Sequence, residues 1–115
     1  AIINKQNKNG ETALMIASKF ANTDSTEKTV KMLLEHPKID VNLQNKYGNT
    51  ALILASNYST ITLPFKKGTV KMLLEHPKIN VKLKNKDNEN AIVIVCKNKN
   101  ITDKNTLITE MAKKC

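Results

Sequence analysis

Residues 29–39 read Thr-Val-Lys-Met-Leu-Leu-Glu-His-Pro-Lys-Ile, and residues 69–79 repeat them letter for letter. A tandem copy of that length within 115 residues constrains the fold more than any property of the composition. It implies stacked supersecondary units, each unable to bury its apolar face alone.

More of the chain falls into register around this segment. Asn7-Lys8-Asn9-Gly10-Glu11-Thr12-Ala13-Leu14 matches Asn45-Lys46-Tyr47-Gly48-Asn49-Thr50-Ala51-Leu52, and a third copy reads Asn85-Lys86-Asp87-Asn88-Glu89-Asn90-Ala91-Ile92. The anchoring alanines Ala13, Ala51 and Ala91 are 38 and 40 residues apart. Each unit opens on a turn, with Gly10, Gly48 or Asn88 where positive φ is tolerated. Thr12 and Thr50 then fit helix N-caps. The helix that follows, Ala13-Leu14-Met15-Ile16-Ala17 in the first unit, is apolar nearly all round and is predicted to be buried on most sides. After a polar loop, Val30, Leu33 and Leu34 form one apolar stripe on a second helix, with Lys31 and Glu35 outside it. Pro37 and Pro77 stop that helix and its copy. The alternation Ile39-Asp40-Val41-Asn42-Leu43 predicts an extended return to the next turn.

This order of turn, helix, loop, helix and return resembles the ankyrin repeat. The residues that carry the likeness are the Asn45 to Ile53 turn and inner helix, the Thr29 to Glu35 outer helix, and Asp40-Val41-Asn42. The resemblance implies an all-α, ankyrin-like helix-turn-helix solenoid with extended, hairpin-like loops between repeats. It implies a single domain over residues 1–115, with units of about 3–40, 41–80 and 81–115. The last unit reads as a degenerate C-terminal cap, because Thr109, Glu110, Lys113 and Lys114 make its outer helix largely polar. The chain is expected to be a fragment of a longer repeat protein. Ala-Leu-Met, Ala-Leu-Ile and Ala-Ile-Val stand where the family usually has Pro-Leu-His. Loss of that His predicts looser coupling between turns, with apolar packing compensating. The extra length of the units lies between the helices, at 21–28 and 59–68. The second loop, taken as 57–68, carries Tyr58, Ile61, Leu63, Pro64 and Phe65. It either folds back over the helix pair or presents an aromatic contact.

The formal net charge of +9 comes from nineteen Lys with no Arg. A basic balance suggests nucleic acid or an anionic membrane, but Arg is the better tool for bidentate phosphate and guanine recognition. The accompanying wealth of Asn and Ile points to an AT-rich genome as a source of the Lys. That usage, with this repeat type, resembles ankyrin proteins of large DNA viruses and intracellular bacteria, whose modules engage host proteins. No apolar run reaches membrane-spanning length. Cys96 and Cys115 do not make a disulfide framework, so a reducing, cytoplasmic setting is expected.

No phosphate-cradling Gly loop, nucleophile elbow or cluster of acids is present. The chain is therefore expected to be non-enzymatic, with no cofactor and no metal. His36 and His76 occupy equivalent positions, where a helix C-terminal His satisfies carbonyls and the dipole. Cys96 aligns with Ser18 and Ser56 and is expected to be small and buried.

The resemblance implies a protein-binding module that uses the concave surface of turn tips and inner-helix ends. In the first unit these positions are Lys8, Asn9, Glu11, Lys19 and Phe20. In the second they are Lys46, Tyr47, Asn49, Asn57 and Tyr58. In the third they are Lys86, Asp87 and Glu89, with Lys97 and Asn98 at the helix end. Tyr47 is the expected aromatic anchor. The ladder of Lys8, Lys46 and Lys86 favours a protein partner with an acidic surface, bound by a monomer. The alternative is electrostatic binding of nucleic acid or anionic lipid through the Lys excess.

Overall fold

A computed structural model of the chain describes residues 2–19, 24–58, 69–99, 101 and 104–114, without the side chains of 24–27 and 58. A short 3-10 turn at Ile2–Asn4 is followed by α1 (Ala13–Lys19), α2 (Asp24–Glu35), α3 (Ala51–Tyr58), α4 (Thr69–Glu75), α5 (Ala91–Lys97) and α6 (Lys104–Ala112). No β-strand occurs among the described residues. The inner helices stack in the order α1, α3, α5; each packs on the outer helix that follows it, and α2 packs beside α4. The expected all-α repeat fold is what the structure shows. Phe20 and the 59–68 loop, with Leu63, Phe65 and the Lys66-Lys67 pair, lie outside the described residues, as does Cys115.

Each inner helix begins where a side chain supplies the acceptor for an N–H that has no intrahelical partner. Thr12 Oγ1 accepts the Met15 N–H and Thr50 Oγ1 the Ile53 N–H, both at 3.2 Å. In the third unit Asn90 Oδ1 takes over, accepting the Val93 N–H at 3.0 Å. The outer helices α2 and α4 end at Glu35 and Glu75, two residues short of Pro37 and Pro77. The following segment does not run out as an extended return. It turns at Val41 and Asn42, because Asp40 Oδ1 accepts the Asn42 N–H at 3.0 Å and draws the backbone round.

Burial follows position in the stack. Residues 51–56 of α3 are all buried. In α1, Ala13 and Ile16 are exposed, although their counterparts Ala51 and Leu54 are covered. In α5 Val93 and Cys96 are exposed, on the opposite side of the helix, as is the terminal Lys97. The expectation of a buried Cys96 is therefore corrected. Ser18 and Ser56 at the same repeat position are buried, whereas α5 is the last inner helix and no described helix packs beyond it.

The turns set the spacing between units. Gly10 and Gly48 have φ of 75° and 79°. A Cβ on Gly10 would lie 2.9 Å from the backbone N of Lys46, and one on Gly48 would lie 2.8 Å from Cα of Asn85. Glycine is thus required both by the left-handed backbone and by the closeness of the next turn. Asn88 holds the same conformation, φ 64°, while carrying a Cβ. Gly48→Ala is expected to lower stability by roughly 1–3 kcal/mol, measured from the urea midpoint. Asn88→Gly is expected to leave it nearly unchanged. Equal effects at the two sites would contradict the close approach.

Candidate functional site

An Asn side chain builds each turn tip. Asn7 Oδ1 accepts the N–H groups of Asn9 and Glu11 at 2.9 and 3.0 Å. Asn45 Oδ1 does the same for Tyr47 and Asn49, and Asn85 Oδ1 for Asp87 and Glu89, all within 2.9–3.0 Å. The geometry needs only an acceptor, so an amide oxygen serves as well as a carboxylate. Satisfied in this way, the loop backbone turns the side chains of Lys8, Asn9, Lys46, Tyr47, Lys86 and Asp87 outward, where all six residues are exposed.

Successive tips are joined by polar bonds, which corrects the expectation of loose coupling offset by apolar packing. The Lys46 N–H donates to the Asn9 carbonyl and the Lys86 N–H to the Tyr47 carbonyl, each at 2.9 Å. Gln6 Nε2 donates to the carbonyls of Gly10 and Gln44, at 2.8 and 3.0 Å, and Gln44 Nε2 to those of Gly48 and Lys84, both at 2.9 Å. Asn4 donates to the Lys38 carbonyl and accepts the Asp40 N–H, both at 2.8 Å. Asn42 repeats this with Lys78 and Asn80, at 2.8 and 2.9 Å. These four amides were missed by reading the sequence for contact residues. Their signal was the repeated Asn-x-Gln at 4/6 and 42/44, which becomes Lys82 and Lys84 in the third unit.

The remaining site positions divide into pairs. Lys19 Nζ forms an ion pair with Glu11, and Lys97 Nζ forms the equivalent pair with Glu89. Each ties the end of an inner helix to the residue just before its start. Both members change together in the middle unit, where Asn49 and Asn57 replace them. Asn49 Oδ1 accepts from Asn85 Nδ2 at 2.9 Å, while Asn57 is exposed. Glu11 and Lys19 were read as contact residues, but their charges are satisfied within the unit. Asn98, also read that way, is buried. Its Nδ2 donates to the carbonyls of Ser56 and Asn57, at 2.7 and 3.1 Å, capping the end of α3 from the neighbouring unit. Phe20 and the Tyr58 side chain lie outside the described residues.

Tyr47 stands alone as an exposed aromatic among the described residues, with 58% of its surface accessible. Lys46 Nζ sits 5.0 Å from its ring centroid, a cation–π contact that steadies the ring on the tip. His36 and His76 do not donate to helix carbonyls with their rings. Nδ1 of each instead accepts the N–H two residues on, from Lys38 and Lys78, at 3.1 Å. Burial, and then the charge of Lys78, hold His76 below the ordinary imidazole range. This favours the neutral ring that such acceptance requires. Among the described residues no group of three or more His, Cys, Asp or Glu could hold a metal ion. No described helix is long and apolar enough to cross a membrane.

A family model for ankyrin repeats, in three copies, matches residues 1–82. No curated protein matches the chain. The matched region ends at Lys82, where the bridging Asn of the first two units is lost.

The ion pairs give a pH signature. Glu11 and Glu89 titrate below the ordinary carboxylate value, chiefly because the paired lysine donates a hydrogen bond to each. Lys97 is raised by the same bond, which it donates to Glu89. A depressed carboxylate stabilises the fold above the unfolded-state pKa, and the gain is lost as pH falls through the folded value. The urea midpoint is therefore expected to drop between about pH 6 and about pH 3. In a Glu11→Gln/Glu89→Gln variant the drop should be smaller. An equal drop in both proteins would show that the pairs do not contribute.

Proposed function

The chain belongs to the ankyrin-repeat family, and on that premise we propose that it is a non-catalytic interaction module that binds a partner protein through its turn tips. Ankyrin repeats are in general protein-binding units. The finer reading rests on one observation: Lys8, Lys46 and Lys86 are exposed at equivalent places on three successive tips, and none has an ion-pair partner among the described residues. The other two lysines of the same face, Lys19 and Lys97, are neutralised by Glu11 and Glu89. A row of unpaired positive tips, with an exposed Tyr47 at its centre, fits an acidic protein surface. The tyrosine supplies contact area at low entropic cost, and the lysines speed association. Asn9, Asn57 and Asp87 are exposed beside them and complete the contact surface.

The outer helices are scaffold in this reading. The segment 29–35 of α2 is identical to α4, so it cannot distinguish one stretch of partner from another. The module acts as a monomer in the cytoplasm. Binding of nucleic acid or anionic lipid would call for a basic stripe on one face. Here the lysines are divided among the tips, the outer helices (Lys31, Lys71) and the segments between units (Lys38, Lys78, Lys82).

For a partner captured on the immobilised chain, Tyr47→Ala is expected to weaken affinity about tenfold or more. Lys31→Ala, on the back, should change it by less than about twofold. Replacing Lys8, Lys46 and Lys86 together with Ala should slow association and flatten its salt dependence. Loss from Lys31→Ala equal to that from Tyr47→Ala would move the binding face to the back. Titration with random duplex DNA at low salt should give no binding; tight, steeply salt-dependent binding would favour the electrostatic reading instead.

A further inference from the structure

Successive tips are held at a set distance by one backbone bond each. From the Lys8 nitrogen to the Asn9 carbonyl oxygen is two residues of chain, at most about 7 Å when extended. The Lys46 N–H donates to that oxygen at 2.9 Å, and the Lys86 N–H donates to the Tyr47 carbonyl at the same distance. The backbone of one tip lysine therefore lies no more than about 10 Å from the next. The inner helices stacked behind the tips, α1, α3 and α5, come no closer than about 8 Å. Lys8, Lys46 and Lys86 thus form a row of exposed cations with a repeat of about 8–10 Å.

Between these rungs little is left to meet an anion. Lys19 and Lys97 are held by Glu11 and Glu89. Asp87, exposed beside Lys86, is itself an anion, while Asn9 and Tyr47 beside the other two rungs are uncharged. The row reads the spacing of carboxylates rather than their density.

That spacing selects among backbone conformations. A polyproline II segment rises about 3.1 Å per residue with three residues per turn, so every third side chain returns to one face after about 9.3 Å. A β-strand returns to one face at every second residue, after about 6.7 Å, and misses the rungs. An α-helix returns after seven residues, about 10.5 Å, but it docks through several apolar anchors along one face. Of the exposed large apolar residues described, Ile2, Ile16, Met32, Tyr47 and Val93, Tyr47 alone stands on a tip. One ring suits a proline packed on it, which a polyproline II segment supplies.

On the reading that the tips bind a partner protein, we infer that the partner presents to them an extended, polyproline II segment with an acidic residue at every third position. Its carboxylates fall on Lys8, Lys46 and Lys86, and an intervening proline lies against the Tyr47 ring.

The test uses three synthetic peptides with blocked ends and three Glu each. The first is Glu-Pro-Ala repeated three times; each Glu precedes a proline and is thereby biased towards extended backbone. The second is its isomer, with the three Glu joined in one run, so composition and charge are unchanged. The third is an alanine-rich helix with Glu at every seventh position. Each is titrated at low salt into the isotope-labelled full chain, and amide shifts report both the site and the Kd. The repeating peptide should shift the Lys8, Lys46 and Lys86 amides together and bind about threefold or more tighter than its isomer. Lys46→Ala, which removes the middle rung, should abolish that preference, and Lys31→Ala should leave it. Equal binding of the two isomers, with the shifts still on the tips and Tyr47→Ala weakening both, would overturn the spacing and leave the tips as the binding face. Tighter binding of the helical peptide would overturn the extended conformation. Shifts on α2 and α4 instead would overturn the spacing and the tip reading together. Absence of tip shifts with every peptide at millimolar concentration would also overturn the inference, and the Tyr47→Ala measurement on the captured partner would then still decide the tip reading.

Discussion

The backbone of each turn lies against the α-carbon of the turn before it, closer than a side chain would permit. Everything else about the stack depends on that approach. With Gly10 and Gly48 lacking a Cβ, the next turn comes within reach of Asn4, Gln6, Asn42 and Gln44, whose amides then bond to backbone on both sides of the junction. The same spacing brings α1 against α3 and α3 against α5. The middle helix can then be apolar on every side without exposing that surface. Were the turns pushed apart, these amides and the tip-to-tip backbone bonds would lose their partners, and the inner helices would lose the neighbours that cover them. Turn spacing and core packing are in this sense one constraint, enforced at two glycines.

The fold was legible because its determinants are local and repeated. Glycine at a positive φ, threonine before an apolar run and proline after a stripe each act within a few residues, and the duplication displayed them twice. What escaped the sequence acts beyond a single turn or helix. Asn4 and Gln6 look like ordinary surface amides in an Asn-rich chain; only the partner backbone 34–38 residues on reveals them as fasteners. The pairing of Glu11 with Lys19 and of Glu89 with Lys97 spans eight residues, longer than the usual i, i+4 pair because the whole inner helix lies between the partners. Its trace in the sequence was the joint change to Asn49 and Asn57. Cys96 misled for a related reason. Repeat register reports which way a side chain points, but not whether another unit stands there to cover it.

The polar residues of this face fall into two physical classes, and separating them narrows the functional reading. Asn45, Gln44 and Asn98 spend their hydrogen-bonding capacity on backbone, and Asn85 on backbone and on Asn49. Glu11 and Glu89 spend their charge on a lysine of their own unit. Such groups are poor contacts for a partner, since binding would have to break what holds the turn. Lys8, Lys46, Lys86 and the ring of Tyr47 are held in place by the first class without belonging to it. An excess of lysine spread over the whole surface shows only that the chain is basic. The same charge placed on three tips in register, beside one exposed aromatic ring, has a direction and a spacing that a partner can match.

That spacing also explains why exact repetition of the outer helix carries no specificity while the tips diverge. On the proposed function, a partner lying along the stack would meet the same sequence twice, at residues 29–35 of α2 and 69–75 of α4, which gives it little to set its register by. At the tips it meets Lys-Asn, Lys-Tyr and Lys-Asp in sequence, a constant charge followed by a residue that differs each time. The constant residue can draw an acidic surface from a distance, where only net charge counts. The variable one acts at contact, where shape and hydrogen bonding decide. On the proposed function, Tyr47, at the middle tip and with Lys46 against its ring, is where the two effects would coincide.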